Sequence, residues 1–215
     1  MSEGLFERLE DDARREVWAH MRRRRFARGE VLFHQGDPGD SLHLIVKGRV
    51  SVRTATPRGD RAILRVLGPD QVVGEFALVS PAPRAATVTA LEPTETMTLD
   101  RATFADLRAK CPGVDDFLLV ASVDEIRRLS EALLEALYLP VEQRVLRRVL
   151  ELGELYRNGG EICVPLGQDE LAQLAGVTRQ TVNKVLAKAQ QDGTLRIERG
   201  RLLILQLDEI RRRCH

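Results

Sequence analysis

The sequence predicts an α+β protein with an N-terminal roll or barrel of short strands, one long helix and a compact C-terminal helical region. Three stretches predict this order. Short alternating apolar segments separated by glycine and proline fill residues 26–100, as in small all-β rolls and barrels. A helical pattern without an internal breaker covers residues 112–139, and two helices around a glycine cover residues 168–193. The predicted parts are a β-roll domain at 1–111, a helix at 112–139 and a last domain at 140–215.

The charge balance and the apolar runs restrict the class of protein. The 215 residues include 33 Lys and Arg against 32 Asp and Glu, which gives a formal net charge of +1. Bulk charge therefore favours neither nucleic acid nor a membrane surface, and any site for a polyanion must be local. No apolar run approaches the roughly 20 residues that cross a bilayer, and the acidic N-terminal segment lacks the apolar core of a signal peptide. We expect a cytoplasmic protein without a membrane partner.

The cysteines and histidines argue against a metal centre and against an enzyme. Cys111, Cys163 and Cys214 lie about fifty residues apart, a spacing that fits neither a disulfide framework nor a zinc or iron–sulfur site. An enzyme that acts on nucleotides needs clustered His and Asp ligands or paired catalytic carboxylates, and four scattered histidines do not supply them. We expect reduced thiols, no metal and no catalytic residues.

The first element is a helix over residues 1 to about 22, followed by a run of arginines. Leu9, Ala13 and Val17 keep a helical rhythm in this segment. The arginines at 22–25 then place positive charge at its C-terminal end, where the helix dipole favours it. The pattern favours a solvated helix end over a binding patch. Strands are expected next, in the stretches EVLFHQGD, SLHLIVKGRVSVRT, RAILRVLGPD and ATVTALEPTETMTLD.

The helix at 112–139 has heptad spacing on its apolar face, which is typical of a two-stranded coiled coil. This spacing predicts self-association of the chain as a homodimer, and the alternative is a helix packed only on its own domain. Pro140 then ends or bends the helix. The two seam positions hold Leu119, Ile126 and Leu133 and, on the other side, Ser122, Leu129 and Ala136. The residues expected to hold the dimer are Leu119, Ile126, Leu129 and Leu133.

The segment QDELAQLAGVTRQTVNKVLAKAQQDG predicts a helix-turn-helix. Two helices that cross tightly need a small residue at the crossing, a glycine in the turn and apolar residues that face inward. Residues of those types stand at Ala172, Gly176 and Val182. Thr178 is placed to cap the second helix through its hydroxyl, and Gly193 is placed to end it in the left-handed conformation.

The outer face of the second helix carries polar side chains that fit a DNA groove. Arg and Lys donate to guanine O6 and N7, Gln and Asn bond adenine, and threonine hydroxyls meet phosphates. A solvated face in a helical hairpin is the alternative, but a strand hairpin at 194–207 adds a wing, and the unit resembles a winged helix. Residues 140–215 hold 13 Lys and Arg against 10 Asp and Glu, a small excess of the right sign. The candidate DNA-binding residues are Thr178, Arg179, Gln180, Thr181, Asn183, Lys184 and Lys188.

From about residue 5 to residue 207, the chain resembles the cyclic AMP receptor protein and fumarate–nitrate regulator family of bacterial transcription factors. Its most specific stretches are HQGDPGDSLHLIVKGRVSV, VVGEFALVSPAPRAATVTA and LGQDELAQLAGVTRQTVNKVL. The resemblance implies a cyclic-nucleotide-binding β-roll, a long dimerisation helix and a C-terminal winged helix-turn-helix. It also implies a pseudo-palindromic site on double-stranded DNA and RNA polymerase as a partner.

The segment 74–87 is similar to the phosphate-binding cassette of that family. Gly74 allows a close backbone turn, and a short helix beginning near Glu75 points N–H groups toward an anion. Arg84 offers a two-pronged charged bond to a cyclic phosphate, and Glu75 accepts a hydrogen bond from a ribose 2′-hydroxyl. The residues that match the cyclic-nucleotide binders are Gly74, Glu75, Phe76, Ala77 and Arg84.

Two positions depart from the pattern of those binders. Ala85 stands where Ser or Thr usually bonds the phosphate, and Leu129 stands where a Thr reaches the adenine. Ser130 does match a serine that reaches across from the partner chain. Each lost hydrogen bond weakens binding by roughly 0.5 to 1.5 kcal/mol. Cyclic AMP is the leading effector, and the alternatives are an effector-independent regulator in which Glu75 and Arg84 form an internal ion pair, or a sensor module that acts through protein contacts.

Overall fold

The computed structural model of the chain describes residues 11–56, 59, 61–79, 82–110 and 113–214. Contacts divide the chain into two compact units. The first unit holds the chain up to Ala55 together with Arg65–Leu129, and the second holds Thr56–Leu64 together with the chain from Ser130 onward. The start of the predicted N-terminal helix, at residues 1–10, and Cys111 lie outside the described residues.

Two four-stranded sheets form the framework of the first unit and confirm the predicted roll of short strands. The strands are β1 (Arg22–Phe26), β2 (Val31–Phe33), β3 (Ser41–Lys47), β4 (Val50–Ala55), β5 (Arg61–Leu67), β6 (Val72–Val73), β7 (Thr87–Ala90) and β8 (Thr94–Asp100). One sheet has the order β1-β8-β3-β6 and the other the order β2-β7-β4-β5.

The central strand β3 is buried on both faces, because its alternating side chains enter two different apolar clusters. Ile45 packs between the sheets in one cluster with Val50 and Val88. Leu44 points the other way and packs in a second cluster with Phe104. The helices of this unit that precede the long helix are α1 (Asp11–His20), α2 (Phe76–Val79) and α3 (Arg101–Lys110).

The arginine run at 22–25 is a strand and not the end of a helix, so the sequence-based prediction for this segment was wrong. Helix α1 ends at His20, and β1 pairs antiparallel with β8. Arg23 and Arg25 form ion pairs with Glu95 of that neighbouring strand. All four arginine side chains are exposed, so the run lacks the alternation that usually identifies a strand. Pairing with a segment about seventy residues away decides its conformation.

One long helix, α4 (Gly113–Tyr138), confirms the predicted uninterrupted helix, and α5 begins just after Pro140. Leu118 and Ala121 of α4 are buried, and Leu118 belongs to the same apolar cluster as Phe104. The boundary between the two compact units falls within this helix, after Leu129.

The second unit combines helices with a three-stranded sheet of order β10-β11-β9. Its predicted helices and hairpin are confirmed. The last helix was not predicted from the sequence, although acidic residues in its first turn and arginines in its last turn match the helix dipole. The elements are α5 (Val141–Leu155), β9 (Ile162–Val164), α6 (Gln168–Ala175), α7 (Arg179–Gln191), β10 (Leu195–Glu198), β11 (Arg201–Ile204) and α8 (Leu207–Arg213).

Candidate functional site

The segment expected to bind a phosphate begins with a sharp backbone turn after β6. Gly74 has a φ of +84°, a conformation that side chains rarely adopt. A Cβ atom at this position would lie 2.4 Å from Nη1 of Arg84. The same Nη1 donates a hydrogen bond to the Gly74 carbonyl at 3.2 Å. Glycine is therefore required here, because it lets the guanidinium lie directly against the backbone.

Arg84 is a buried cation, with only 4% of its side chain exposed. Its Nη2 donates to Ser41 Oγ at 3.1 Å and lies 3.4 Å from Asp40 Oδ1. The guanidinium carbon lies 4.0 Å from the ring centre of Phe33. Burial lowers the pKa of Arg84, and the Asp40 carboxylate opposes that shift. Arginine nevertheless stays charged in proteins.

The Nε atom of Arg84 is buried and has no hydrogen-bond partner among the described residues. A buried donor without a partner is costly, and an anionic ligand is one way to satisfy it. This atom and the glycine turn fit a phosphate group.

Glu75 is buried beside the same turn, with 5% of its surface exposed. Burial is the main cause that raises the pKa of this carboxyl, while Arg65 and Arg84 lower it. Across the described part of the chain, Arg84 pairs with Asp40 and forms no ion pair with Glu75. The internal ion pair that was the alternative to nucleotide binding is therefore absent, and Glu75 keeps its capacity to accept a bond from a hydroxyl.

The other predicted effector residues differ in exposure. Ala77 is buried, and Phe76 and Ala85 are exposed. Leu129 and Ser130 are exposed on α4. Gly74, Glu75, Ala77 and Arg84 thus lie together around one turn of the first unit. The roles expected for all eight residues stay predictions.

Several residues that surround Arg84 were not predicted from the sequence. Phe33 resembled an ordinary apolar strand residue, and Asp40 and Ser41 lie inside the HQGDPGDSLH stretch without standing out from it. Arg101 donates to the Ala77 carbonyl at 2.7 Å and also to the Gly39 carbonyl. It thereby ties the short helix α2 to the loop before β3. No local pattern relates these residues, because they come from separate segments of the chain.

The helix-turn-helix has the local geometry that its residues predicted. Gly176 ends α6 in the left-handed conformation, and Gly193 after α7 has a φ of +70°. Thr178 caps α7, since its hydroxyl oxygen accepts a hydrogen bond from the Thr181 N–H at 3.2 Å. The inner face of α7 is buried, and its apolar members are Val182, Val185, Leu186 and Ala189.

The predicted DNA-reading side chains lie on the opposite face, where all except the half-buried Thr181 are exposed. Arg179 forms an ion pair with Asp169 at 3.1 Å, and Lys188 forms one with Glu142 at 3.0 Å. Exposed pairs of this kind contribute about 0.2–1 kcal/mol, so DNA phosphates or bases can compete for both cations. Lys184 has no ion pair in the described part of the chain and extends outward from the middle of the helix.

Two arginines of the hairpin were also missed as candidates for DNA contact. Arg196 on β10 and Arg199 beside the Gly200 turn are both exposed. Arg201, on the following strand, is paired with Glu198. The sequence signal available was two positive charges next to a predicted hairpin turn, and neither forms an ion pair among the described residues.

The apolar seam predicted along α4 is exposed in the isolated chain. Leu119, Ile126, Leu129 and Leu133 have exposed fractions between 50% and 63%. Ser122, at a seam position, turns its hydroxyl onto its own helix and donates to the Leu118 carbonyl at 2.8 Å. Within the described residues, these four side chains of the seam therefore stay largely exposed.

Neither a membrane helix nor a metal cluster is found in the described ranges. None of the helices there has the length and apolar character that a bilayer crossing requires. No three His, Cys, Asp or Glu side chains lie together there as metal ligands would.

Two models of known protein families match separate parts of the chain. A model of the cyclic nucleotide-binding domain matches residues 23–111, and a model of the Crp-like helix-turn-helix domain matches residues 143–213.

Individual relatives extend this match over nearly the whole chain. A CRP-like cAMP-activated global transcriptional regulator of Mycobacterium tuberculosis is 30% identical over 215 residues, which are 98% of this chain and 96% of that one. The cyclic AMP receptor protein of Thermus thermophilus is 33% identical over 182 residues, or 85% of this chain and 83% of the other. The solved structure of FixK2 from Bradyrhizobium japonicum has the same fold, with a TM-score of 0.77 at 18% identity over 89% of this chain and 96% of its own. The chain therefore belongs to the cyclic AMP receptor protein and fumarate–nitrate regulator family of transcription regulators.

Proposed function

We propose that the protein is a homodimeric, sequence-specific DNA-binding regulator controlled by a 3′,5′-cyclic nucleotide, with cyclic AMP as the first ligand to test. The effector part rests on one observation: among the described residues, the buried Nε of Arg84 has no hydrogen-bond partner, and it lies beside a turn that only glycine can form. A cyclic phosphate would bond this guanidinium in two-pronged fashion. Glu75 would accept the ribose 2′-hydroxyl. The names of the Mycobacterium and Thermus relatives support cyclic AMP.

The DNA-binding part is supported by the exposed polar face of α7. Lys184 and Arg179 are candidates for guanine, and Gln180 and Asn183 are candidates for adenine. Thr178 and Thr181 are candidates for phosphates, although their hydroxyls also bond each other at 2.9 Å. Arg196 and Arg199 of the hairpin would add phosphate contacts, which strengthen binding without selecting a sequence.

The homodimer is supported by the uncovered seam of α4. Leucine and isoleucine at heptad spacing favour pairing with another helix of the same spacing, which a second copy of this chain supplies. A second copy related by a two-fold axis would duplicate the recognition helix and demand a pseudo-palindromic operator. RNA polymerase is the expected partner of the DNA-bound dimer.

Control by a ligand requires a difference in affinity between two arrangements of the dimer. The proposed pocket and the seam both involve α4, because Leu129 stands in each of them. A nucleotide that bonds differently in two registers of α4 would therefore shift the population toward one of them. That shift would change the spacing of the two recognition helices.

Calorimetry with cyclic AMP on the full chain, on Arg84→Leu and on Arg61→Leu tests the effector part. Arg61 is an exposed residue of β5, so its variant is a matched control for the loss of one arginine. We expect binding to the native chain and to the control, and at least a tenfold loss of affinity in Arg84→Leu.

Absence of binding to the native chain, together with tight operator binding without nucleotide, would establish the effector-independent alternative. DNA binding is tested separately, by selection of sites from random duplex oligonucleotides. Failure to enrich any sequence would contradict that part and favour a module that signals through protein contacts.

A further inference from the structure

Arg144 on helix α5 is a half-buried cation in the second unit. Its Nε atom is buried and has no hydrogen-bond partner among the described residues. No carboxylate in the described part of the chain forms an ion pair with it, whereas Arg147 and Arg148 of the same helix both pair with Glu135. A charge that loses part of its hydration without gaining a counter-ion destabilises the fold. An external anion would remove this cost.

The head group of Arg144 lies beside the turn of the helix-turn-helix. A Cβ atom at Gly176 would lie 3.9 Å from Nη1 of Arg144. Gly176 ends α6 in the left-handed conformation, and Thr178 caps the start of α7 two residues later. Helix α5 packs on both helices of the motif, and its Glu142 pairs with Lys188 of α7 at 3.0 Å. Helix packing thus places the guanidinium near the start of α7.

The turn that precedes a recognition helix faces the DNA backbone. The first residues of such a helix contact base edges in the major groove, so the residues just before them stand at the edge of the groove, where the phosphates lie. Phosphate oxygens accept charged hydrogen bonds from a guanidinium, often two at once. Arg144 comes from a different helix than the base-reading candidates of α7. Its expected contact is therefore with the backbone, and such a contact carries no sequence information.

We propose that Arg144 binds a phosphate of the DNA backbone and thereby docks the turn between α6 and α7 against the edge of the groove. This inference rests on the DNA-binding part of the proposed function and adds a contact from outside the recognition helix. A dimer would make the contact once in each half-site. Because a phosphate is present at every position of a duplex, the contact strengthens binding to all sequences alike.

The salt dependence of DNA binding measures the number of phosphate contacts. Each contact releases counter-ions from the duplex and contributes about 0.9 to the slope of log K against log salt concentration. We expect Arg144→Met to reduce this slope by about 1.8 in magnitude, for two lost contacts per dimer. The selected duplex and a scrambled duplex should be weakened by the same factor, on the order of tenfold to a hundredfold at 0.1 M salt. Titrations of labelled duplexes between about 50 and 200 mM salt measure both quantities.

Further measurements separate a phosphate contact from a structural role. Arg144→Lys keeps a positive charge that can meet a phosphate, so it should retain most of the slope. Arg157→Met removes an exposed arginine just beyond the C-terminal end of α5 and should leave slope and affinity unchanged. The melting temperature of DNA-free Arg144→Met should equal or exceed that of the native chain, because the variant removes a half-buried charge without a counter-ion. Circular dichroism spectra check that each variant folds.

The outcomes distinguish this inference from the proposed function. An unchanged slope in Arg144→Met, or weakening confined to the selected sequence, would overturn the phosphate contact and leave DNA binding by α7 intact. A lowered melting temperature together with an unchanged slope would make Arg144 a structural residue. Absence of binding by the native chain to every duplex would contradict the DNA-binding part of the proposed function and this inference with it.

Discussion

Arg84 illustrates how several distant residues determine the properties of one side chain. The Phe33 ring lies against its guanidinium, Ser41 and Asp40 receive two of its hydrogen bonds, and Gly74 receives a third. Its geometry is thus set before a ligand arrives, and preorganisation of this kind reduces the entropic cost of binding.

At the residue scale, Phe33→Leu should weaken nucleotide binding although Phe33 itself carries no hydrogen-bonding group. The substitution removes the ring that orients the guanidinium, an interaction that contributes about 0.5–2 kcal/mol. Phe33→Tyr keeps the ring and should retain most of the affinity. Calorimetric titration of the two variants measures the difference. Equal affinities in Phe33→Leu and Phe33→Tyr would contradict a positioning role for the ring.

His43, also at this scale, predicts an acid-sensitive fold. It is fully buried between the rings of Phe26 and Phe33. Burial, followed by the charges of Arg84 and Arg24, lowers the pKa of His43 from 6.5 to about 3. Below pH 6.5 the unfolded chain binds a proton that the folded chain rejects. The stabilising effect of a neutral His43 is therefore present above pH 6.5 and is lost as the pH falls toward 3.

Each pH unit below 6.5 should cost about 1.4 kcal/mol of unfolding free energy through this one group. Urea unfolding at pH 7, 5.5 and 4.5 measures the effect on the native chain and on His43→Gln, whose side chain does not titrate. The difference between the two unfolding free energies should shrink as the pH falls, because only the native chain loses the contribution of a neutral His43. The other titrating groups are common to both proteins and cancel in the comparison. Parallel curves would show that His43 does not have the lowered pKa.

At the element scale, helix α7 combines residues of two kinds, and their variants should behave differently. Arg179→Ala or Lys184→Ala should cost about 1–3 kcal/mol at a site where the residue bonds a guanine, and should relax the preference at one symmetric position. Thr181→Ala should weaken all sequences alike, since a phosphate contact carries no base information. Site selection followed by titration on selected and scrambled duplexes distinguishes the two effects.

Arg212→Ala is the control for this series, because it removes one exposed arginine outside the helix-turn-helix. It should retain the selected motif. The same motif at the same strength in Arg179→Ala and Lys184→Ala would show that the outer face of α7 does not read bases.

At the scale of the whole molecule, the seam of α4 predicts a dimer whose loss abolishes operator binding. Leu133→Glu would bury one carboxylate per chain in an apolar interface, where no partner compensates its desolvation. Light scattering at micromolar concentration should show a dimer for the native chain and a monomer for the variant. Arg127→Glu, an exposed change outside the seam, should stay dimeric.

The dimer should recognise half-sites separated by about 10 base pairs or a multiple of that spacing. Duplexes with the half-sites moved apart by half a helical turn should bind far more weakly. A native monomer, or binding that is indifferent to the spacing, would contradict the two-fold arrangement.

Local patterns in the sequence were sufficient to predict the roll of short strands, the helix α4, the helix-turn-helix and the caps at Thr178 and Gly193. Periodicity, capping and turn chemistry act over a few residues, so a single stretch of chain contains the whole signal. The resemblance to the family singled out Gly74, Glu75 and Arg84, and their role in phosphate binding stays a prediction. These features depend on the identity of neighbours in sequence.

Contacts between distant segments could not be predicted from the sequence, and only the tertiary structure reveals them. The arginine strand β1 forms because β8 pairs with it, although its own residues resemble a charged helix end. Phe33 meets Arg84 although the two lie 51 positions apart in the sequence, and Arg65 meets Glu125 although they lie 60 positions apart. No periodicity relates residues so far apart, because chain folding and not local backbone geometry determines their separation. The surroundings of a buried charge therefore appear only when the whole fold is known.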